Sequence, residues 1–163
     1  MFGLSAKERA GEALLRGTRA ALSGGFLHLS RVEGLGLNES AGAWVYAESI
    51  AHQIYALGLA YTNSIRDERP WADGQFFDDH VASALHSVEK EQGLTTGSFS
   101  FVFTRLKAFQ QFSRQELVAG KQFALSANEA RNHDSNADVA VIERLLHDAT
   151  EQYFQASWKM FTT

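Results

Sequence analysis

Six of the twelve phenylalanines in this 163-residue chain fall between Ser98 and Arg131: Phe99, Phe101, Phe103, Phe109, Phe112 and Phe123. Rings that point in several directions must be covered from several sides, so this stretch dictates what the rest of the chain has to supply. From Val102 onward the period is helical. At about 100° per residue, Val102, Leu106, Phe109, Gly120, Phe123 and Ala127 share one sector, with Lys107, Gln111, Arg114 and Lys121 opposite. That is an apolar stripe backed by a solvated face. Phe99, Phe101 and Phe103 alternate with smaller residues, a period-two pattern that also suits a strand. A lone strand would leave its backbone groups unpaired. A helix from about Ser98 is therefore the favoured reading, and the extended alternative affects only its first turn. The expectation is one long central helix enclosed by the others.

Arg105 and Glu116 interrupt the stripe. The plain expectation is that each lays its aliphatic stem on the core and keeps its head at the rim. The sharper one makes Glu116 a partly buried pocket carboxylate, kept for binding or proton transfer.

The remaining chain supplies helices to cover this one. Ser5 opens a helix whose Ala6, Ala10, Ala13, Leu14, Gly17 and Ala21 form a face of small residues, and Gly24-Gly25 ends it. A short apolar piece follows from Phe26 to Val32. A long helix should start near Asn38 or Ser40 and run to about Arg66. Its seam, Ala43, Ala47, Ile50, Ile54, Leu57, Tyr61 and Ile65, alternates steps of four and three, as in helical bundles. A shorter helix is expected from about Asp79 to Gln92, capped by Asp78 or Asp79. The last runs from about Ala137 to Met160, with Ile142, Leu146, Ala149, Tyr153, Ala156 and Met160 inward. No internal repeat or linker divides the chain. The fold class implied is all-α: residues 1–163 form a single-domain antiparallel helical bundle of five main helices plus one short helix.

Several function classes are disfavoured. There is no cysteine, which removes disulfides, thiolate chemistry and cysteine metal sites. The net charge is −4, and no stripe of lysine and arginine runs along one face. The footprint of a nucleic-acid binder is therefore missing. No apolar run reaches the roughly eighteen residues of a membrane span, and no secretory signal is visible at the start. A cytoplasmic protein of bacterial style is expected. No Gly-x-Ser-x-Gly elbow, Walker loop, His-Glu-x-x-His or calcium loop occurs.

Two arrangements remain as candidate sites. The segment Asp67–Asp79 sets Trp71, Phe76 and Phe77 among the carboxylates Asp73, Asp78 and Asp79. Such an aromatic-acidic loop is the kind of surface that docks a partner of basic character. The plainer alternative is that the rings plug the end of the bundle and the acids cap a helix. Glu-x-x-x-His occurs twice, as Glu48/His52 and Glu143/His147, and one helical turn puts each pair on one face. If the two faces met, two carboxylates and two imidazoles could hold a divalent transition metal. The spacing differs from the Glu-x-x-His of dimetal bundles, however. The preferred functional expectation is a non-enzymatic protein-protein interaction module of the adaptor, chaperone or toxin-neutralising, immunity-like kind. Homodimerisation through the second or last helix is an option, and no cofactor is expected. The alternative is a metal- or small-ligand-binding bundle, or a metal-dependent enzyme, built on Glu48, His52, Glu143 and His147.

Overall fold

The computed structural model describes residues 3–66 and 69–162, so Asp67 and Glu68 of the acidic loop lie outside the described residues. The described residues are all-α, with eight helices and no strand. They are α1 (Ala6–Leu22), α2 (Leu29–Glu33), α3 (Glu39–Tyr61), α4 (Gly74–Glu91), α5 (Phe101–Gln110), α6 (Arg114–Val118), α7 (Lys121–Ala130) and α8 (Val139–Thr162). A π turn, Thr62–Arg66, continues α3. No helix among the described residues is long and apolar enough to cross a membrane.

The helix starts follow local chemistry. Ser5 caps α1 in a reciprocal box, its hydroxyl accepting the Glu8 N–H while the Glu8 carboxylate accepts the Ser5 N–H. Asn38 caps α3 by accepting the Ala41 N–H. α4 begins earlier than its apolar period implies. Asp73 is its cap, accepting the Phe76 N–H, so Asp78 and Asp79 fall inside the helix.

The long central helix expected after Ser98 is instead three short ones. It does not start at Ser98; the backbone turns through residues 98–100 and α5 begins at Phe101. The helix stops at Gln110 because Ser113 restarts it with a second capping box, taking the Glu116 N–H and giving its own N–H to the Glu116 carboxylate. It breaks again at Gly120, whose φ of 75° lies in the left-handed region open to glycine.

The hub is α3. Thirteen of its 23 residues are buried, against three of ten in α5 and none in α6. It contacts α1, α2, α5, α7 and α8, and its largest interface is with α8. α1, α4 and α7 lie antiparallel to it. α8 runs alongside in the same direction: Asn38 bonds His133 and Asp134 just before α8 starts, and Tyr61 meets Phe161 near its end.

Two apolar clusters result. One joins α1, α4, α5 and the later halves of α3 and α8, with Leu14, Ile54, Leu57, Tyr61, Val81 and Tyr153. The other joins the early halves of α3 and α8 to α2 and α7 through Leu27, Val45, Phe123, Ile142 and Leu146. The small face of α1 has the purpose its composition implies: Gly17 lies against Leu57 of α3 and Met160 of α8, and Gly11 lies under the His80 ring of α4. Beyond α1, the buried Gln53 amide holds the chain reversal. It gives N–H bonds to the Gly24 and Ser49 carbonyls and accepts the Phe26 N–H. A Cβ at Gly25, where φ is 58°, would collide with that amide.

Gly120→Ala should lower unfolding free energy by about 1–2 kcal/mol through the left-handed backbone alone. The Cβ itself meets only ordinary contact with Phe123. A denaturant titration with an unchanged slope and a lower midpoint is the expected readout.

Candidate functional site

The densest polar assembly is built where α5 and α7 close on α3. Glu48 projects from α3 with 1% of its surface exposed. Arg105 of α5 grips it bidentately, Nε to Oε2 at 2.9 Å and Nη2 to Oε1 at 2.5 Å. Arg105 Nη2 also reaches Glu129 Oε2 of α7 at 3.1 Å. The guanidinium is sandwiched by apolar rings, 5.3 Å from the Trp44 centroid and 5.5 Å from that of Phe109. Ser126 of α7 donates its hydroxyl to Glu48 Oε1 at 2.8 Å.

One turn along α3, His52 Nε2 lies 2.8 Å from the same hydroxyl. Because the Ser126 proton goes to the carboxylate, the imidazole must donate: His52 carries its proton on Nε2. Its Nδ1 is then a bare acceptor, consistent with that atom being buried without a partner. The ring is stacked on Phe109 at 4.2 Å and tilted against Phe123 at 4.8 Å.

This chain of bonds resembles a hydrolytic triad only in its residue types. The histidine donates to the serine rather than taking its proton, and serine, histidine and glutamate are all sealed from solvent. None of the three lines either of two surface clefts, of about 450 and 690 Å³, on the outside of α3. Burial, reinforced by the Arg105 charge, drives the His52 imidazole down from 6.5 to about 3. Burial pushes the Glu48 carboxyl up, against the opposing pull of Arg105 and Ser126. The assembly fastens three helices and presents no reactive group to a substrate.

Glu143 and His147 lie on α8, Glu143 half-buried and His147 exposed between Asp148 at 3.7 Å and Glu151 at 3.8 Å. The two Glu/His faces do approach each other, but Phe123 fills the gap. Its ring stands 4.8 Å from His52 on one side and 5.2 Å from His147 on the other. The four side chains are not brought into one ligand set, and Arg105 and Ser126 already occupy the Glu48 oxygens. Among the described residues no group of three or more histidine and carboxylate side chains could hold a metal ion. The donors present do not fit the metal centre that the two motifs imply.

Glu116 is not a pocket carboxylate. It is exposed, and its bonds to Ser113 hold its carboxyl below the usual range. The aromatic rings of the acidic segment turn inward. Trp71 and Phe76 pack at 5.0 Å, Phe76 and Phe77 both lie against Tyr61, and the Tyr61 hydroxyl donates to the Asp73 carbonyl at 2.9 Å. Asp78 and Asp79 stay exposed, Asp79 accepting a bond from Gln75. The sequence pairs Glu48 with His52 on one helical face and marks Arg105 as a charge in an apolar stripe, but nothing in it joins the pair to Arg105. Ser126, the hydroxyl between them, carries no pattern of its own.

No family model, curated protein or solved structure matches this chain.

Arg105→Ala strands the Glu48 charge inside the protein and should cost about 3–5 kcal/mol in a denaturant titration. Adding Glu48→Gln should recover part of that loss. The pH dependence has a definite sign. Below 6.5 the unfolded imidazole of residue 52 binds a proton that the folded state refuses until about 3. Stability therefore falls as pH drops through that window, approaching about 1.4 kcal/mol per pH unit. The raised Glu48 carboxyl acts oppositely just above 4.5, where its contribution grows as pH falls. His52→Phe should flatten the acid side of the stability profile by the histidine's share, measured by thermal melts from neutral to acid pH.

Proposed function

We propose that this protein is a non-enzymatic protein-binding module, of the adaptor, chaperone or immunity-like kind, that receives an apolar segment of its partner between α3, α6 and α8. The observation that carries the reading is the composition of that groove, about 690 Å³ in volume. Leu59 of α3, Phe154 of α8 and Phe123 of α7 line it, and Leu117 and Val118 of α6 form its lip. Val118 is 84% exposed, the most exposed large apolar residue among those described. α6 buries none of its own residues, so it adds apolar surface at the lip without adding to the core.

The rim supports an apolar mode of recognition. Arg114, Glu151 and His147 set opposite signs around the opening, which gives no net selection by charge. Gln122 borders the groove and donates its amide N–H to the Leu117 carbonyl, which ties the start of α7 to the α6 lip. The sealed state of Glu48, His52 and Ser126 argues in the same direction, because the most reactive-looking side chains of the molecule are spent on holding helices together.

A photo-crosslinking side chain placed at Val118, with the same group at Ala82 on the exposed face of α4 as the comparison, tests the reading in cells that make the protein. The expected result is a discrete adduct from position 118 and none from 82. An adduct of twice the chain mass identifies the partner as a second copy docking at the same groove. No adduct at 118, or the same products from both positions, overturns the proposal. Val118→Asp should abolish partner capture while shifting stability by no more than about 0.5 kcal/mol, as expected of an exposed site.

A further inference from the structure

On the other side of Leu59 the outer face of α3 borders a second cleft, of about 450 Å³, closed by the start of α4 and the end of α5. It shares only Leu59 with the groove described above. Its walls are the Tyr55 and Phe77 rings and the Leu59 and Leu106 side chains. One charged side chain lines it, the carboxylate of Asp78, and the neutral polar groups of Tyr55, Thr62 and Gln110 stand around it.

We propose that this cleft binds an alkylammonium group, with the carboxylate of Asp78 meeting the nitrogen and the rings of Tyr55 and Phe77 flanking its carbon chain. The same chemistry is offered by a free aliphatic amine and by a lysine side chain of a protein.

Three observations carry this. First, the cleft's formal charge is a single negative one set among aromatic faces, whose quadrupoles attract a cation and repel an anion. Second, the carboxylate has a free side for a cation. The cleft wall partly dehydrates it and the neighbouring Asp79 charge adds to this, pushing the Asp78 carboxyl up. Lys107 offsets them only in part, and no ion pair joins Asp78 to Lys107 among the described residues. A cation entering the cleft supplies the missing partner. Third, the walls are apolar enough for an aliphatic stem, so an inorganic cation would leave most of the cleft without complementary contact. Gly58 keeps the floor low, since a Cβ there would come within 3.1 Å of the Phe77 ring.

The test is an NMR titration of the full chain with n-butylammonium, and in parallel with the neutral n-butanol and the anionic butyrate. The expected result is saturable shifts at Tyr55, Phe77 and Leu106 for the amine, with binding at least about tenfold weaker for the alcohol and none for the acid. Asp78→Asn should weaken the amine by about tenfold and leave the alcohol unchanged. Asp79→Asn, next to the cleft but not lining it, should change amine binding far less. Equal binding of amine and alcohol, or equal losses from the two substitutions, overturns the proposal. A short peptide carrying one lysine separates the sources: binding much tighter than butylammonium assigns the cleft to a protein's lysine, and equal binding assigns it to a free amine. Crosslinking at Val118 reads a different surface, so the outcome there does not decide this one.

Discussion

A carboxylate with almost no access to water has to be answered by the protein itself, and Glu48 is answered by Arg105 and Ser126. Taking both ions out of water is expensive, and only near-complete hydrogen bonding recovers the loss. The consequence is geometric. Arg105 must come from α5 and Ser126 from α7, so both helices have to dock on the same turn of α3 at fixed height. The Phe109 and Phe123 rings then close over His52 and exclude water from the assembly. Apolar burial drives the helices together, but many registers would bury similar area. The charge network selects one.

The helical class and most helix limits could be read from local chemistry. The caps at Ser5 and Asn38 and the seams of α3 and α8 follow from patterns within a few residues. What misled was the reach of one pattern. The apolar period after Val102 survives the breaks at Ser113 and Gly120, because α5 and α7 both dock an apolar face on α3, while α6 between them buries none of its residues. The breaks were nonetheless written in the chain: Ser113-x-x-Glu116 is a capping box, and a glycine follows four residues later. The hub, too, lies elsewhere than the phenylalanine count implies. Phenylalanine content points to the 98–131 stretch, whereas α3 is the buried helix, rich in alanine, isoleucine and leucine, with four polar side chains, Glu48, Ser49, His52 and Gln53, buried among them.

The site was legible only in parts. The Glu48/His52 spacing marks two groups on one helical face, and Arg105 stands out as a charge in an apolar stripe. That these belong together depends on how α5 and α7 fold back, which no local period encodes. The same holds for the aromatic-acidic segment. Its rings turn to the core once Asp73 starts α4 early, and two of its members, Phe77 and Asp78, end up lining a cleft with side chains from α3 and α5. Surface chemistry here is a product of tertiary placement: Leu59, an ordinary helix residue in the sequence, becomes the ridge between two differently charged clefts.

The parallel course of α3 and α8 affects how the chain can be made. Their interface is the largest in the molecule, yet α4 to α7 lie between them in the chain. During synthesis the early half of α3 therefore emerges long before its main cover exists. For that interval its apolar flank is available to the wrong neighbour, and closing so long a loop is slow. Nascent chains of this protein are where dependence on a molecular chaperone would show first.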